Sequence, residues 1–395
     1  MSEPKENKKA FWLFSRFSRS KESVSAAASV MGTLGAVGKL SLSDNSAATS
    51  KNLQAASIKL GEYLETQDQD DDGVEDVVSM SRWVEKTELY PNSSYGVGKL
   101  EEASIPHFHR NLINLAAISS KEVYAKRENL KMVKSSKFAA TGPPALELPA
   151  ELFGGSIKAT SIRLYEVDSE QGSRVPVVVV AVRGTASIHD WMSAQRAADK
   201  VGGKIRELIL SMESSRAPHL LLTGHSAGGA VAALLHAHTS HVSTPGANGS
   251  SELRNLATKF ASVHLVTFGA PPTTSPALPP PKATTNPPAF LGIINEGDPI
   301  PRAGKKYINA LLQLYVAPAP KPPIAPLDLP EMSLRNAGTV LVLLRKAKPT
   351  TSQEVEPVFW RLQASGPGSI DTMLYGDPRV HSMVVYLRKL GLLEK

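Results

Sequence analysis

The chain of 395 residues is 42% hydrophobic, enough for a packed core in one large domain with extensions or in two modest domains. Its 44 Lys+Arg against 37 Asp+Glu give +7, a modest excess that favours anionic surfaces; no aromatic-basic RNA or DNA motif accompanies it, so no nucleic-acid partner is expected. With no cysteine, disulfides, thiolate metal sites and a thiol nucleophile are excluded, and an intracellular, cytoplasmic location is expected.

The opening stretch, MSEPKENKKAFWLFSRFSRSKES, holds only FWLF before Ser15 and Arg16, far short of a signal-peptide core. Residues 1–50 read as a disordered tail, in which Phe11, Trp12, Phe14 and Phe17 lie among Lys8, Lys9, Arg16 and Arg19; the same mix suits peripheral contact with an anionic membrane. No run reaches the roughly eighteen apolar residues of a spanning helix. Residues 51–104 read as an acidic linker and lead-in segment. Within it, Asp68, Asp70, Asp72 and Gly73 match the first half of a calcium loop, but Ser79 stands where a bidentate Glu is needed, so a solvated linker is the expectation.

From Ile105 to the end the chain reads as one globular unit. LINLAAISSKEVYAK has helical spacing, TSIRLYEV alternates like a half-buried strand, and VPVVVVAVRGT is a continuous β-branched run of the kind buried on both faces of a parallel sheet. KVGGKIRELILSME predicts a helix, HLLLTGH a buried strand, and an alanine-rich helix starts at Ala227. Strands follow at SVHLVTFGA, AFLGIINE, TVLVLLRK and PVFWRLQA, with a last helix at HSMVVYLRKLGLL. Two proline-rich stretches, residues 270–288 and 315–330, read as surface connections. The alternation predicts an α/β fold with a mostly parallel central sheet flanked by helices.

The junction GHSAG stops one apolar strand and starts a helix with a hydroxyl at the corner. A sharp strand-to-helix turn tolerates only small neighbours, supplied here by Gly224 and Gly228, and it lifts Ser226 clear of the strand end as a nucleophile. A serine needs a base to take its proton and a carboxylate to orient that base, and in this kind of sheet they follow in the order serine, acid, histidine. Asp298, in the glycine turn after FLGIIN, fits the acid, with Glu296 and Asp377 as weaker rivals; His381, after the last strand, fits the base. His225 diverges at the turn, His236, His238 and His241 lie down the helix, and His264 sits inside a strand as a core residue. The oxyanion donors expected are the backbone N–H of Ala227 and Thr185, in the loop after VVVVAVRG. No metal and no cofactor is expected.

Taken together, VVVVAVRGTASIHDWM, LLLTGHSAGGAVA, VTFGAPP, NEGDPIPR and His381 resemble the fungal class 3 lipases, over roughly residues 105–395. The resemblance implies an α/β-hydrolase-type fold and cofactor-free hydrolysis of acylglycerol esters through an acyl-serine. It supports Ser226, Asp298 and His381 as the triad, with Thr185 and Ala227 as oxyanion donors. It also implies a lid helix after Arg-Gly-Thr, where Ile188, Trp191 and Met192 would form one apolar face over an acyl groove. The implied partner is a lipid substrate, met at a transient membrane or lipid-droplet surface. The chain departs from the family in placing only SAQRAADKVGG where a strand hairpin is usual, and in lacking cysteine. Phospholipase, simple esterase and acyltransferase activity stay open, and the competing reading is a catalytically silent lipid-binding or scaffold protein on the same fold.

Overall fold

The computed structural model describes residues 47–66, 74–95, 100–124, 135–149, 159–184, 194–212, 216–239, 251–281, 287–345, 358–362 and 369–393. Its centre is a nine-stranded sheet in the order β1-β9-β8-β7-β6-β5-β4-β3-β2. The strands are β1 (Glu101–Glu102), β2 (Phe138–Leu148), β3 (Thr160–Asp168), β4 (Arg174–Val182), β5 (His219–His225), β6 (Val263–Phe268), β7 (Phe290–Asn295), β8 (Thr339–Leu343) and β9 (Trp360–Arg361). From β4 to β8 every neighbouring pair is parallel, whereas β2, β3, β9 and β1 close the two sides antiparallel. Successive parallel strands in sequence order bring the loops after β4, β5, β6 and β7 to one edge of the sheet, where ligands of such sheets sit.

The valine run explains why β4 is central. Val178, Val180 and Val182 face one core, shared with helices α4 (Ala194–Leu210), α5 (Ala227–Thr239) and α6 (Glu252–Leu256). Val177 and Val179 face the other, shared with α3 (His107–Glu122) and α8 (Met383–Lys389). A strand buried on both faces has no polar side to alternate with, so it reads as unbroken hydrophobicity. In β3, one strand nearer the edge, burial alternates along most of its length, as the TSIRLYEV pattern predicts.

Helix α5 is buried around nearly all of its circumference, which its glycines and alanines permit by letting the helix backbone close onto β4, β5 and β6. Edge strand β2 contains Gly142-Pro143-Pro144, with a bulge between Thr141 and Leu146; a proline is tolerated there because an edge or a bulge need not supply every ladder hydrogen bond.

The segment read as an acidic linker and lead-in is not a bare connection. It carries helices α1 (Ala47–Thr66) and α2 (Val74–Glu88), packed against α7 (Lys305–Val316). Leu53, Ala56 and Leu60 join Tyr307, Leu311 and Tyr315 in a third core, and Trp83 stacks on Tyr315 with centroids 4.3 Å apart. Lys86 Nζ donates to the carbonyls of Tyr315 and Ala317, each at 2.5 Å, satisfying the C-terminal end of α7. The spacing of Leu53, Ala56 and Leu60 is helical, and burial of that stripe outweighs the surrounding charge. The acidic run at 67–73, with the candidate calcium residues Asp68, Asp70, Asp72 and Gly73, lies outside the described residues, as does the tail up to residue 46. Among the described residues, no helix is long and apolar enough to cross a membrane.

Candidate active site

Strand β5 ends at His225, and Ser226 turns the chain with φ = 56°, the one non-glycine residue with positive φ among the described residues. A left-handed backbone at a non-glycine residue costs of order 1–3 kcal/mol and persists only where surrounding structure enforces it. The enforcement is visible. Ser226 N–H donates to the Phe268 carbonyl at 2.9 Å, tying the corner to the end of β6, and Ser226 O accepts from Gly229 N–H at 3.0 Å as α5 begins. A Cβ on Gly228 would overlap the Val182 carbonyl oxygen, and one on Gly224 would lie 2.5 Å from the Gly228 carbonyl carbon. Strand β4, the start of α5 and the end of β5 meet there too closely for side chains. Ser226 itself is only partly buried, and Ala227, first residue of α5, presents its N–H at a helix start where no intrahelical acceptor exists.

The strand after β6 brings the acid. Asp298 follows β7 in a turn and is fully buried, yet its carboxylate is surrounded by donors. Oδ1 accepts from Ile300 N–H at 3.0 Å, Oδ2 accepts from the Tyr386 hydroxyl at 2.8 Å, and His381 Nδ1 stands 2.9 Å from Oδ2 and 3.0 Å from Oδ1. A carboxylate only accepts, so Nδ1 carries a ring hydrogen, and in the neutral ring Nε2 is then the acceptor. Tyr386, on α8, accepts from Asn295 N–H at 2.9 Å. Burial, reinforced by the negative charge of Asp298, pushes its phenol well above the ordinary tyrosine range, so it remains a donor. Sequence reasoning missed Tyr386; the available signal was a tyrosine on the apolar face of the last helix, whose buried hydroxyl had to find a partner.

His381 closes a short 3₁₀ turn, Pro378–His381, which Asp377 caps by accepting from Arg379 N–H at 3.1 Å, while Asn295 Nδ2 donates to the Val380 carbonyl at 2.7 Å. The rival acids are thus engaged elsewhere. Asp377 holds the turn and pairs with Arg379 at 2.9 Å, and Glu296 accepts from the backbone N–H groups of Tyr95 and Arg345 at 2.7 and 2.8 Å. Gly269, one residue beyond the Phe268 that anchors Ser226, abuts the acid–base pair so closely that a Cβ there would stand 2.7 Å from Asp298 Oδ2 and 3.1 Å from His381 Cε1.

The other histidines separate by place. His225 reaches the carbonyl of His381 with Nε2 at 2.7 Å. His264 accepts from Ala289 N–H at Nδ1, 2.9 Å away, and its Nε2 lies 3.0 Å from His219 Nδ1, making it a satisfied core residue. His236 stacks on Phe290, and His238 is buried further along α5. Thr185, His241 and the lid residues Ile188, Trp191 and Met192 lie outside the described residues. Gly184, just before Thr185, does approach the corner: a Cβ on it would be 3.3 Å from Ser226 Cβ. No group of three or more His, Cys, Asp or Glu among the described residues could hold a metal ion.

Residues 193–307 match the model of the lipase (class 3) family, a stretch that runs from α4 through the Ser226 corner to Asp298 and stops short of His381. No protein of curated function matches the chain in sequence. Among solved structures, the chain is similar to one titled "Crystal structure of M37 lipase", at 12% identity and a TM-score of 0.31, over 79% of this chain and 92% of that one. What this chain shares with the class 3 lipases is therefore the segment bearing the serine corner and the carboxylate turn, and that match supports lipase-like hydrolysis of carboxylic esters.

Proposed function

We propose that the protein is a serine hydrolase that cleaves fatty-acyl ester bonds of acylglycerols through an acyl-enzyme. The observation that carries the reading is the His381–Asp298 pair, 2.9 Å apart and buried, at the sheet edge where Ser226 occupies its strained corner. His381, held by Asp298 with Nε2 unprotonated, removes the hydroxyl proton of Ser226 as its oxygen attacks the ester carbon. The carbonyl electrons move onto oxygen, and the oxyanion takes hydrogen bonds from the Ala227 N–H and from Thr185. Collapse expels the alcohol, which takes the proton from His381; the same histidine then deprotonates water to release the fatty acid and restore Ser226. The class 3 lipase match favours a lipid ester as substrate; a membrane or lipid-droplet surface is the meeting place this reading proposes.

The test is a panel of emulsified triacylglycerol, diacylglycerol, phospholipid vesicles and a short soluble ester, run on the wild-type chain and on Ser226→Ala. Acylglycerol hydrolysis is expected to lead the panel and to vanish in the variant, with circular dichroism unchanged. Equal turnover by Ser226→Ala, or no hydrolysis of any ester by folded wild-type protein, contradicts the proposal.

A further inference from the structure

A second hydrogen-bonded chain runs beside the acid–base pair, through two residues the mechanism does not use. Gly184 N–H donates to the Tyr124 hydroxyl at 3.0 Å, and that hydroxyl lies 3.3 Å from His225 Nδ1 and 3.5 Å from the His225 carbonyl. His225 Nε2 lies 2.7 Å from the His381 carbonyl oxygen. The direction of each bond is fixed by its ends. A carbonyl only accepts, so Nε2 carries the His225 hydrogen; in the neutral ring Nδ1 is then an acceptor for the Tyr124 O–H, while the tyrosine oxygen receives the amide hydrogen of Gly184. Every donor points the same way, from the loop after β4 toward the histidine turn, an arrangement in which each bond polarises the next. The rings add shape: His225 lies against His381 with centroids 4.5 Å apart, and edge-on to Tyr124 and Tyr386.

Each end of this chain is a backbone group next to the proposed chemistry. Gly184 precedes Thr185 in sequence, His225 precedes Ser226, and the acceptor at the far end belongs to His381 itself. Resting on the hydrolase reading above, we propose that Tyr124 and His225 are positioning residues, which lock the loop after β4 and the main chain of His381 in fixed register about Ser226. Their effect falls on the alignment of the base and of Gly184 with the nucleophile, where a displacement near 1 Å costs on the order of a hundredfold.

The experiment compares wild type with Tyr124→Phe, His225→Leu, His225→Gln and the double variant Tyr124→Phe/His225→Leu, using a short soluble ester with kcat and KM separated. Folding is checked by circular dichroism and thermal melting. Glutamine places an N–H near the position of His225 Nε2, so it keeps the donor to His381 that leucine removes. Tyr124→Phe and His225→Leu are expected to lower kcat by about tenfold to a hundredfold with KM nearly unchanged, and His225→Gln to recover most of the leucine loss. The double variant should fall little below His225→Leu, because both residues act through one chain. Wild-type kcat in Tyr124→Phe and His225→Leu, an equal loss in glutamine and leucine variants, or losses that multiply independently would overturn the positioning role. Labelling of Ser226 by a fluorophosphonate separates the two levels. A labelled wild type with unaffected variants removes only the positioning role, whereas an unlabelled, folded wild type removes the hydrolase reading and this inference with it.

Discussion

The tyrosine hydroxyl between Asp298 and Asn295 serves both partners at once, donating to the carboxylate and accepting from the amide. Tyr386→Phe leaves the Asn295 N–H without its acceptor in a fully buried place, and leaves Asp298 with one donor fewer. Stranding a buried donor costs about 1–3 kcal/mol, so the urea midpoint should fall accordingly, and ester turnover should fall with it as the His381–Asp298 geometry loosens. An unchanged midpoint would show that the hydroxyl is not the partner that holds this corner. At this scale the legible part was the order of the proposed trio along the chain: a serine flanked by glycines after one strand, a carboxylate in the turn after another, a histidine after the last. Glu296 could be set aside only by geometry, because its engagement with the backbone amides of Tyr95 and Arg345 depends on loops distant in sequence, whereas Asp377 is taken up locally by Arg379, two residues on. Tyr386 and Tyr124 were illegible for the same reason, since a hydroxyl's partner is decided by where its element docks.

Among elements, the central strands were plain in the sequence because burial on both faces leaves only one kind of residue available, as in the valines of β4. Helices α1 and α2 were not, because the polar residues around them hid apolar positions, Leu53, Ala56 and Leu60 in α1 and Met80 and Val84 in α2. Strand β2 was hidden by its Gly-Pro-Pro, a sequence that suggests a turn and is tolerated at a bulged edge. The packing of α1 makes a prediction that separates a docked helix from a linker. Leu60 is fully buried, so Leu60→Ala should destabilise the protein by about 2–5 kcal/mol, whereas a solvated linker position would change stability by less than about 0.5 kcal/mol. Chemical denaturation of the full chain decides between them.

Over the whole molecule, the sheet and two of its flanking helices carry a cluster of histidines away from the proposed site. His109, His219 and His264 lie within ring contact of one another or of Phe108, and His236 stacks on Phe290. Burial lowers all four from the ordinary value of 6.5, that of His236 to about 4, and His219, His109 and His236 lower His264 further by like-charge repulsion. The unfolded chain therefore binds protons on these rings at a pH where the folded chain does not, so the contribution of these four rings to stability falls as pH drops from 6.5 toward 4 and is level above 6.5. The melting temperature is expected to follow that course, with a shallower fall in His236→Phe. A melting temperature that rises on acidification through this window, or a variant as acid-sensitive as wild type, would contradict the assignment.

At the sheet edge, the strained Ser226 corner and the buried His381–Asp298 pair form the arrangement on which the proposed hydrolysis rests. The most direct measurement is reaction of the folded protein with a fluorophosphonate, followed by mapping of the adduct by mass spectrometry. A single adduct on Ser226 is predicted, lost when the protein is unfolded in urea and strongly slowed in Asp298→Asn. Folded protein that forms no adduct, or an adduct at any other residue, would contradict the account.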